Sequence, residues 1–396
     1  MRVVVVVLDG FGVGAMPDAE AEDGVANTLG SIAQAAGGGL YLPFLESMGL
    51  GNVATGVAAV ASPIAAHGRA ALGYPGADSF MGHQELMGGS LASVRLQLLG
   101  DMAADVDRAV RAAGHDIEIL HHGQSARLVD GCVLVADNVE ARPGLSVNVT
   151  ASLDDISFDD LTELGIIVRH AVPVPRVIVV GGRGYGVNDI SAHMMERSPG
   201  QYGVDTPGLG VYDEHYRVRH LGAEVDYDRQ LASRARSEGL DVVLLGKAAD
   251  IVLCDDVVSE NIVDTSQVFD AALSHLGSMN EGLVVANVQE TDLAGHEQDA
   301  ERFRSVLEIV DRRLSEVVDA QRPGDVLIVT ADHGNDPTIG HSQHTREFVP
   351  VLAIGPGIRP VDLGTRRSLA DIGATLADVL GIDGVEAGES FLKEIV

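Results

Sequence analysis

The chain has 396 residues, 46% of them apolar, enough for two or three folded units with sizeable cores. Its 58 acidic and 27 basic residues give a formal charge of −31, which repels a phosphate backbone and argues against nucleic acid as a partner. No uncharged apolar run reaches the ~18 to 20 residues that a membrane span requires. The two cysteines, Cys132 and Cys254, are too few for a disulfide framework, and no leader pattern precedes the first strand, so the expectation is a soluble, cytoplasmic protein.

The β-branched run Val3–Leu8, ending in Asp9-Gly10-Phe11-Gly12, predicts a buried parallel strand followed by a turn. Similar runs follow at Asp241–Leu245, Gly282–Asn287, Asp325–Thr330 and Val349–Ile354. Helix-length amphipathic sequence separates them, as in Asp299–Val318, where Phe303, Val306, Leu307, Val310, Leu314 and Val317 recur at helical spacing. This alternation predicts an α/β core, a parallel sheet with helices on both faces, which binds ligands beyond the carboxyl ends of its strands. Residues 92–224 read differently. Short strands at Ile117–Leu120, Cys132–Ala136 and Val177–Val180, and a glycine-rich, poorly periodic region from Gly181 to Gly210, predict an inserted α+β cap. The metal-binding catalytic core is then 1–91 with 225–396.

Carboxylates and imidazoles stand directly after predicted strands. Asp9 follows the first; Asp292 and His296 follow the strand ending at Asn287; Asp332, His333 and His344 follow the one ending at Thr330. Six such donors on one sheet edge suit two divalent cations, and the absence of cysteine favours manganese, magnesium or zinc held by oxygen and imidazole. Ser79, in Gly76–Glu85, has two readings: a helix N-cap, or a hydroxyl that metals ionise for attack on phosphorus. Only two of the 27 basic residues are lysine, Lys247 and Lys393. Lys247 persists between a strand and a helix in a chain that otherwise uses arginine, either as a surface-turn residue or because the position wants a compact ammonium. His121, His122 and His341 read as loop histidines.

The segments VVVLDGFGVGAMPDAE, GADSFMGH, LLGKAADIV and TADHGNDPTIGHSQHTREFVPVL resemble the phosphopentomutases, of the alkaline phosphatase superfamily that also holds the cofactor-independent phosphoglycerate mutases. The resemblance implies one cation on Asp9, Asp332 and His333, a second on Asp292, His296 and His344, a phosphate-accepting hydroxyl at Ser79, and a cationic Lys247 near substrate. His83, at the family's GH spacing, becomes a candidate substrate contact. The chain also departs from the family. Serine replaces the accepting threonine, Gln84 stands where the family has tryptophan, and the three-residue gap between Asp292 and His296 is that of phosphoglycerate mutase. In the cap, the family's S-A-D-S segment falls on Val149–Ser152, without its aspartate, and R-P-x-x-G becomes a segment around Arg183. Arg183, Arg197 and Arg217 are candidates for the missing phosphate contact, and Asp154 or Asp155 for the displaced carboxylate.

The resemblance therefore implies a metal-dependent phosphomutase that moves a phosphoryl group on a small sugar phosphate through a phosphoserine enzyme. The substrate need not be ribose phosphate. Two divalent cations, Mn²⁺ first among them, are the expected cofactors, and a sugar bisphosphate is a candidate activator. The alternatives are a phosphatase or other phosphoryl-transfer enzyme of the same superfamily and a non-catalytic, metal-stabilised binding protein.

Overall fold

The Arg2–Leu8 strand is buried at all seven positions because it lies at the centre of a sheet, between parallel neighbours Gly282–Val288 and Val326–Thr330. The structure is a computed structural model, and it describes residues 1–21, 23–38, 40–120, 125–211 and 214–396. By internal contacts the chain divides into two units, Met1–Leu91 with Val225–Val396, and Ala92–Glu224.

In the first unit an eight-stranded sheet runs in the order Val258–Glu260, Asp241–Leu245, Gly282–Val288, Arg2–Leu8, Val326–Thr330, Val349–Ile354, Ala66–Ala70, Asp362–Arg366. The first five strands are mutually parallel. Val349–Ile354 is antiparallel to Val326–Thr330, which corrects the expectation of a parallel strand there. Residues 331–348 contain no helix, and without a crossover helix the chain turns back along its neighbour. Asp299 caps the Ala300–Asp319 helix by accepting from the Arg302 N–H at 2.9 Å, and that helix buries Phe303, Val306, Leu307, Val310, Leu314 and Val317. At the opposite end of the sheet from the strands' carboxyl termini, buried Arg2 donates through Nε to Asp325 Oδ2 at 2.8 Å and through Nη1 to the Leu276 carbonyl.

The second unit carries a six-stranded sheet in the order Arg217–Gly222, Arg176–Gly182, Ser146–Ser152, Val133–Asp137, Arg127–Val129, Ile117–Ile119. Only Ser146–Ser152 and Arg176–Gly182 pair in parallel, because the Phe158–Ala171 helix joins them as a crossover. One face packs Val147, Val149, Val177 and Val179 against Leu99, Val106, Leu161 and Val168 of two helices. The region from Gly181 to Gly210 is more regular than its composition suggested: it holds the Val187–Ala192 helix and a hairpin of Met194–Ser198 with Gln201–Val204. Among the described residues no helix is long and apolar enough to cross a membrane.

Candidate active site

The carboxyl ends of three adjacent parallel strands deliver Asp9, Asp292 and Asp332, all buried. A fourth, Asp241–Leu245, ends at Gly246 and Lys247. Gly246 has φ +67°, and a Cβ there would stand 2.3 Å from the Asn287 carbonyl, so only glycine lets this turn lie against the neighbouring strand. That turn aims Lys247 inward. Its Nζ is 2.7 Å from Asp9 Oδ2, 2.9 Å from Asp292 Oδ2 and 3.0 Å from Ser79 Oγ.

Ser79 opens the Ser79–Leu86 helix. The N-cap is Asp78, whose side chain accepts from the Met81 N–H at 3.1 Å, so the hydroxyl of Ser79 is free of capping duty. It lies 2.8 Å from His333 Nε2 and 3.4 Å from Asp9 Oδ1. The preceding turn is shaped by buried Arg346, which donates to the carbonyls of Leu72, Tyr74 and Gly76 and to Asp18.

Two donor trios form here, Asp9–Asp332–His333 and Asp292–His333–His344, each with its ligand atoms within 4.8 Å of one another. His296, more exposed, adds its Nε2 at 3.4 Å from Asp292 Oδ2 and 3.1 Å from His344 Nε2. His333 thus borders both groups, where the sequence resemblance assigns it to one. The residues fit divalent cations on three grounds. Nδ1 of His296, His333 and His344 lies 2.7, 3.0 and 3.3 Å from the carbonyls of Ser342, Gly334 and Ala77, which fixes the Nδ1–H tautomer and points each Nε2 lone pair at the cluster. In that tautomer His296 and His344 face each other lone pair to lone pair, an arrangement that a cation relieves. Among the described residues, Asp332 Oδ2 is also buried without a hydrogen-bond partner.

The electrostatics agree. Burial, followed by the neighbouring Asp332, pushes Asp9 up to about 6. Burial also opposes charge on Asp292, but His344 and Lys247 override it and hold that carboxyl well below the usual range. Burial, then His333, lowers His344 to about 4, leaving a neutral ring ready to ligate. Burial works against the Lys247 ammonium, yet Asp9, Asp292 and Asp332 hold it charged, above its ordinary value.

His83 does not occupy a substrate-facing position. It is fully buried within the Ser79–Leu86 helix, with Nδ1 2.9 Å from the Ser79 carbonyl and 3.3 Å from Asp332 Oδ2. Gln84 is likewise internal, donating to the Ile251 carbonyl and accepting from Gln230. His341 pairs with Asp23 at 3.2 Å. His121 and His122 lie outside the described residues. Sequence reading missed Asn287 and Asn335, whose amides contact Asp9 and Asp292; a polar residue closing the apolar run Gly282–Val288 was the available signal.

In the second unit, Arg183 Nη1 donates to Asp154 Oδ1 at 2.7 Å, and the Gly184 N–H donates to Asp154 Oδ2 at 2.9 Å. The Gly184 N–H, then Arg183, keep that exposed carboxyl below its ordinary value. Asp154 stands two residues past the Ser146–Ser152 strand. A cavity of about 370 Å³ in this unit is lined by Leu153, Phe158, Arg183, His215 and Arg217 among others. The Arg217 guanidinium lies 5.5 Å from the Phe158 ring centre. Arg197 and Asp155 do not line it.

The family model of the Metalloenzyme superfamily matches residues 1–384, and the chain belongs to that superfamily. Curated relatives narrow the placement. The chain is 33% identical to the phosphopentomutase of Symbiobacterium thermophilum over 412 residues, covering 100% of this chain and 98% of that one. It is 32% identical to the phosphopentomutase of Desulfitobacterium hafniense over 408 residues, covering 100% of both. Within the superfamily it belongs to the phosphopentomutase family. Its fold is similar to that of Leishmania mexicana phosphoglycerate mutase, with a TM-score of 0.52, 16% identity, and coverage of 98% of this chain and 97% of that one.

Proposed function

We propose that the chain is a metal-dependent phosphomutase that moves a phosphoryl group between two hydroxyls of a pentose monophosphate by way of phospho-Ser79. The observation that carries this reading is the position of Ser79 Oγ, within 3.4 Å of a carboxylate, an imidazole and an ammonium where the two donor trios meet. Asp9, Asp332 and His333 would hold one divalent cation, and Asp292, His296 and His344 the other, with Mn²⁺ the first candidate and Mg²⁺ or Zn²⁺ the alternatives. When bound, the cations neutralise charge on the transferring phosphoryl group and favour the ionised serine.

The remaining work falls to the chain itself. Lys247 presents a permanent positive charge to Ser79 Oγ and to the oxygens of a phosphoryl group seated on it, stabilising charge that develops during transfer. The eight-residue helix that begins at Ser79 turns its N-terminal N–H groups towards the same anion. This local field offsets the repulsion that a protein of charge −31 exerts on a phosphorylated sugar. In the first half-reaction the Ser79 O–P bond breaks as a sugar hydroxyl forms a new O–P bond, and the hydroxyl proton ends on Ser79 Oγ. The product is a sugar bisphosphate. In the second, the other phosphoryl group returns to Ser79 and its proton passes to the sugar oxygen, so the net change is isomerisation. A sugar bisphosphate added from outside would prime an unphosphorylated enzyme. Asp154 and Arg183 are the candidate sugar-selecting residues of the inserted cap.

Phosphorus NMR of chelator-quenched reactions, in which the Mn²⁺-loaded protein primed with a sugar bisphosphate is given ribose 1-phosphate, tests the proposal. Ribose 5-phosphate should accumulate without inorganic phosphate. Free phosphate alone would establish a phosphatase, and no change with any pentose phosphate would refute the pentose assignment.

A further inference from the structure

Two side-chain amides outside the six-donor set grip the carboxylates of Asp9 and Asp292. Asn287 donates through Nδ2 to Asp9 Oδ2 at 3.0 Å and, with its second hydrogen, faces His83 Nε2 at 3.2 Å. Asn335 donates through Nδ2 to Asp292 Oδ1 at 2.9 Å and to the Asp292 backbone carbonyl at 3.2 Å. Both residues are completely buried. Among the described residues, neither amide oxygen has a hydrogen-bond partner. An amide buried with its acceptor unsatisfied costs stability, so its orientation is set by its donor side. Turning either amide over would press an oxygen against a carboxylate.

The chain is built to admit these groups. A Cβ on Gly295 would fall 2.4 Å from Asn335 Cγ and 2.7 Å from its Nδ2, so the residue before His296 must be glycine for the amide to reach Asp292. The outcome is one amide per carboxylate. With Asn287 on Oδ2, the other oxygen of Asp9 is turned to Ser79 Oγ at 3.4 Å and His333 Nε2 at 3.5 Å. With Asn335 on Oδ1, Asp292 turns Oδ2 to His296 Nε2 at 3.4 Å. Each amide adds a neutral donor to a carboxylate that the Lys247 ammonium also contacts, on Asp9 Oδ2 at 2.7 Å and on Asp292 Oδ2 at 2.9 Å.

We propose that Asn287 and Asn335 are the positioning residues of the two cation sites, Asn287 serving the Asp9–Asp332–His333 site and Asn335 the site built on Asp292. The inference rests on the two-cation reading above, and its mark is site selectivity. Partners of this kind typically contribute about 10- to 100-fold to metal affinity.

The test uses the full-length protein stripped with chelator and titrated with Mn²⁺ by calorimetry, alongside Asn287→Leu and Asn335→Leu. Leucine keeps the branched shape of asparagine and removes the N–H. Each variant should weaken one of the two Mn²⁺ affinities by about 10- to 100-fold and leave the other within about threefold, with a different site affected in each. If either variant keeps both affinities, or both lower the two alike, the positioning role is overturned. Should a leucine variant fail to fold by circular dichroism, Asn287→Ala and Asn335→Ala, which open space rather than fill it, carry the same comparison. Failure of the parent protein to bind two Mn²⁺ would instead overturn the two-cation reading, and the inference with it.

Discussion

Glu85, on the helix that carries Ser79, is fully enclosed, and burial pushes its carboxyl from an ordinary 4.5 up to about 7. Its Oε1 meets the Ser368 hydroxyl at 2.8 Å and its Oε2 accepts from the Gly73 N–H at 3.1 Å. The folded protein therefore keeps a proton on Glu85 through a pH range in which the unfolded chain has lost it. Stability from this group is fully present below pH 4.5 and is lost as pH rises to about 7. A gap of about 2.5 in pH, at 1.36 kcal/mol for each unit, amounts to about 3 kcal/mol. Glutamine has the same shape and cannot ionise; its oxygen can take the Gly73 N–H while its NH₂ donates to Ser368. Glu85→Gln should thus gain on the parent by up to about 3 kcal/mol between pH 4.5 and pH 8, with little difference at the acid end. Denaturant unfolding in chelator, at intervals across that range, measures it, with circular dichroism as the probe because the chain has no tryptophan. The other buried groups titrate in both proteins and cancel. Parallel stability curves for the two proteins would refute the claim that burial holds Glu85 protonated.

Ser79→Ala should bind Mn²⁺ as the parent does, accept no phosphoryl group by intact mass, and lose turnover by at least about a thousandfold. Lys247→Met should lower kcat/KM by about 100- to 1000-fold, since it removes the ammonium that lies 3.0 Å from Ser79 Oγ; a loss under about threefold would remove it from the mechanism. Asp325→Ala leaves the buried Arg2 guanidinium without its carboxylate and should cost roughly 3–5 kcal/mol in denaturant unfolding, while kcat of the folded fraction stays unchanged. Arg183→Ala and Asp154→Ala change an exposed pair, so melting temperature should hold while KM for the pentose phosphate rises about tenfold or more. An unaltered KM would place sugar selection elsewhere.

Much of the architecture was legible before any coordinates. Uniform β-branched runs such as Val3–Leu8 announce strands buried on both faces, and the helical spacing from Phe303 to Val317 announces the covering helix, because both patterns are local consequences of which side chains meet solvent. Strand ends were legible for the same reason, and with them the positions of Asp9, Asp292, Asp332 and His333. The N-cap was not. Asp78 and Ser79 are both good capping residues, and only the backbone path, held by Arg346, assigns the cap to Asp78 and frees the serine hydroxyl.

What the amino-acid order determined by itself is the identity of the donors and the edge of the sheet on which they emerge, since chain alternation and composition act within a few residues. What only the tertiary structure decided is their meeting. Ser79 and His333 approach to 2.8 Å across 254 residues of chain, and Asn287 reaches Asp9 across 278. Strand order and register set those distances, as they set the antiparallel return of Val349–Ile354 and the burial of His83. A polar side chain's partner depends on what stands opposite it in space, and no local periodicity encodes that.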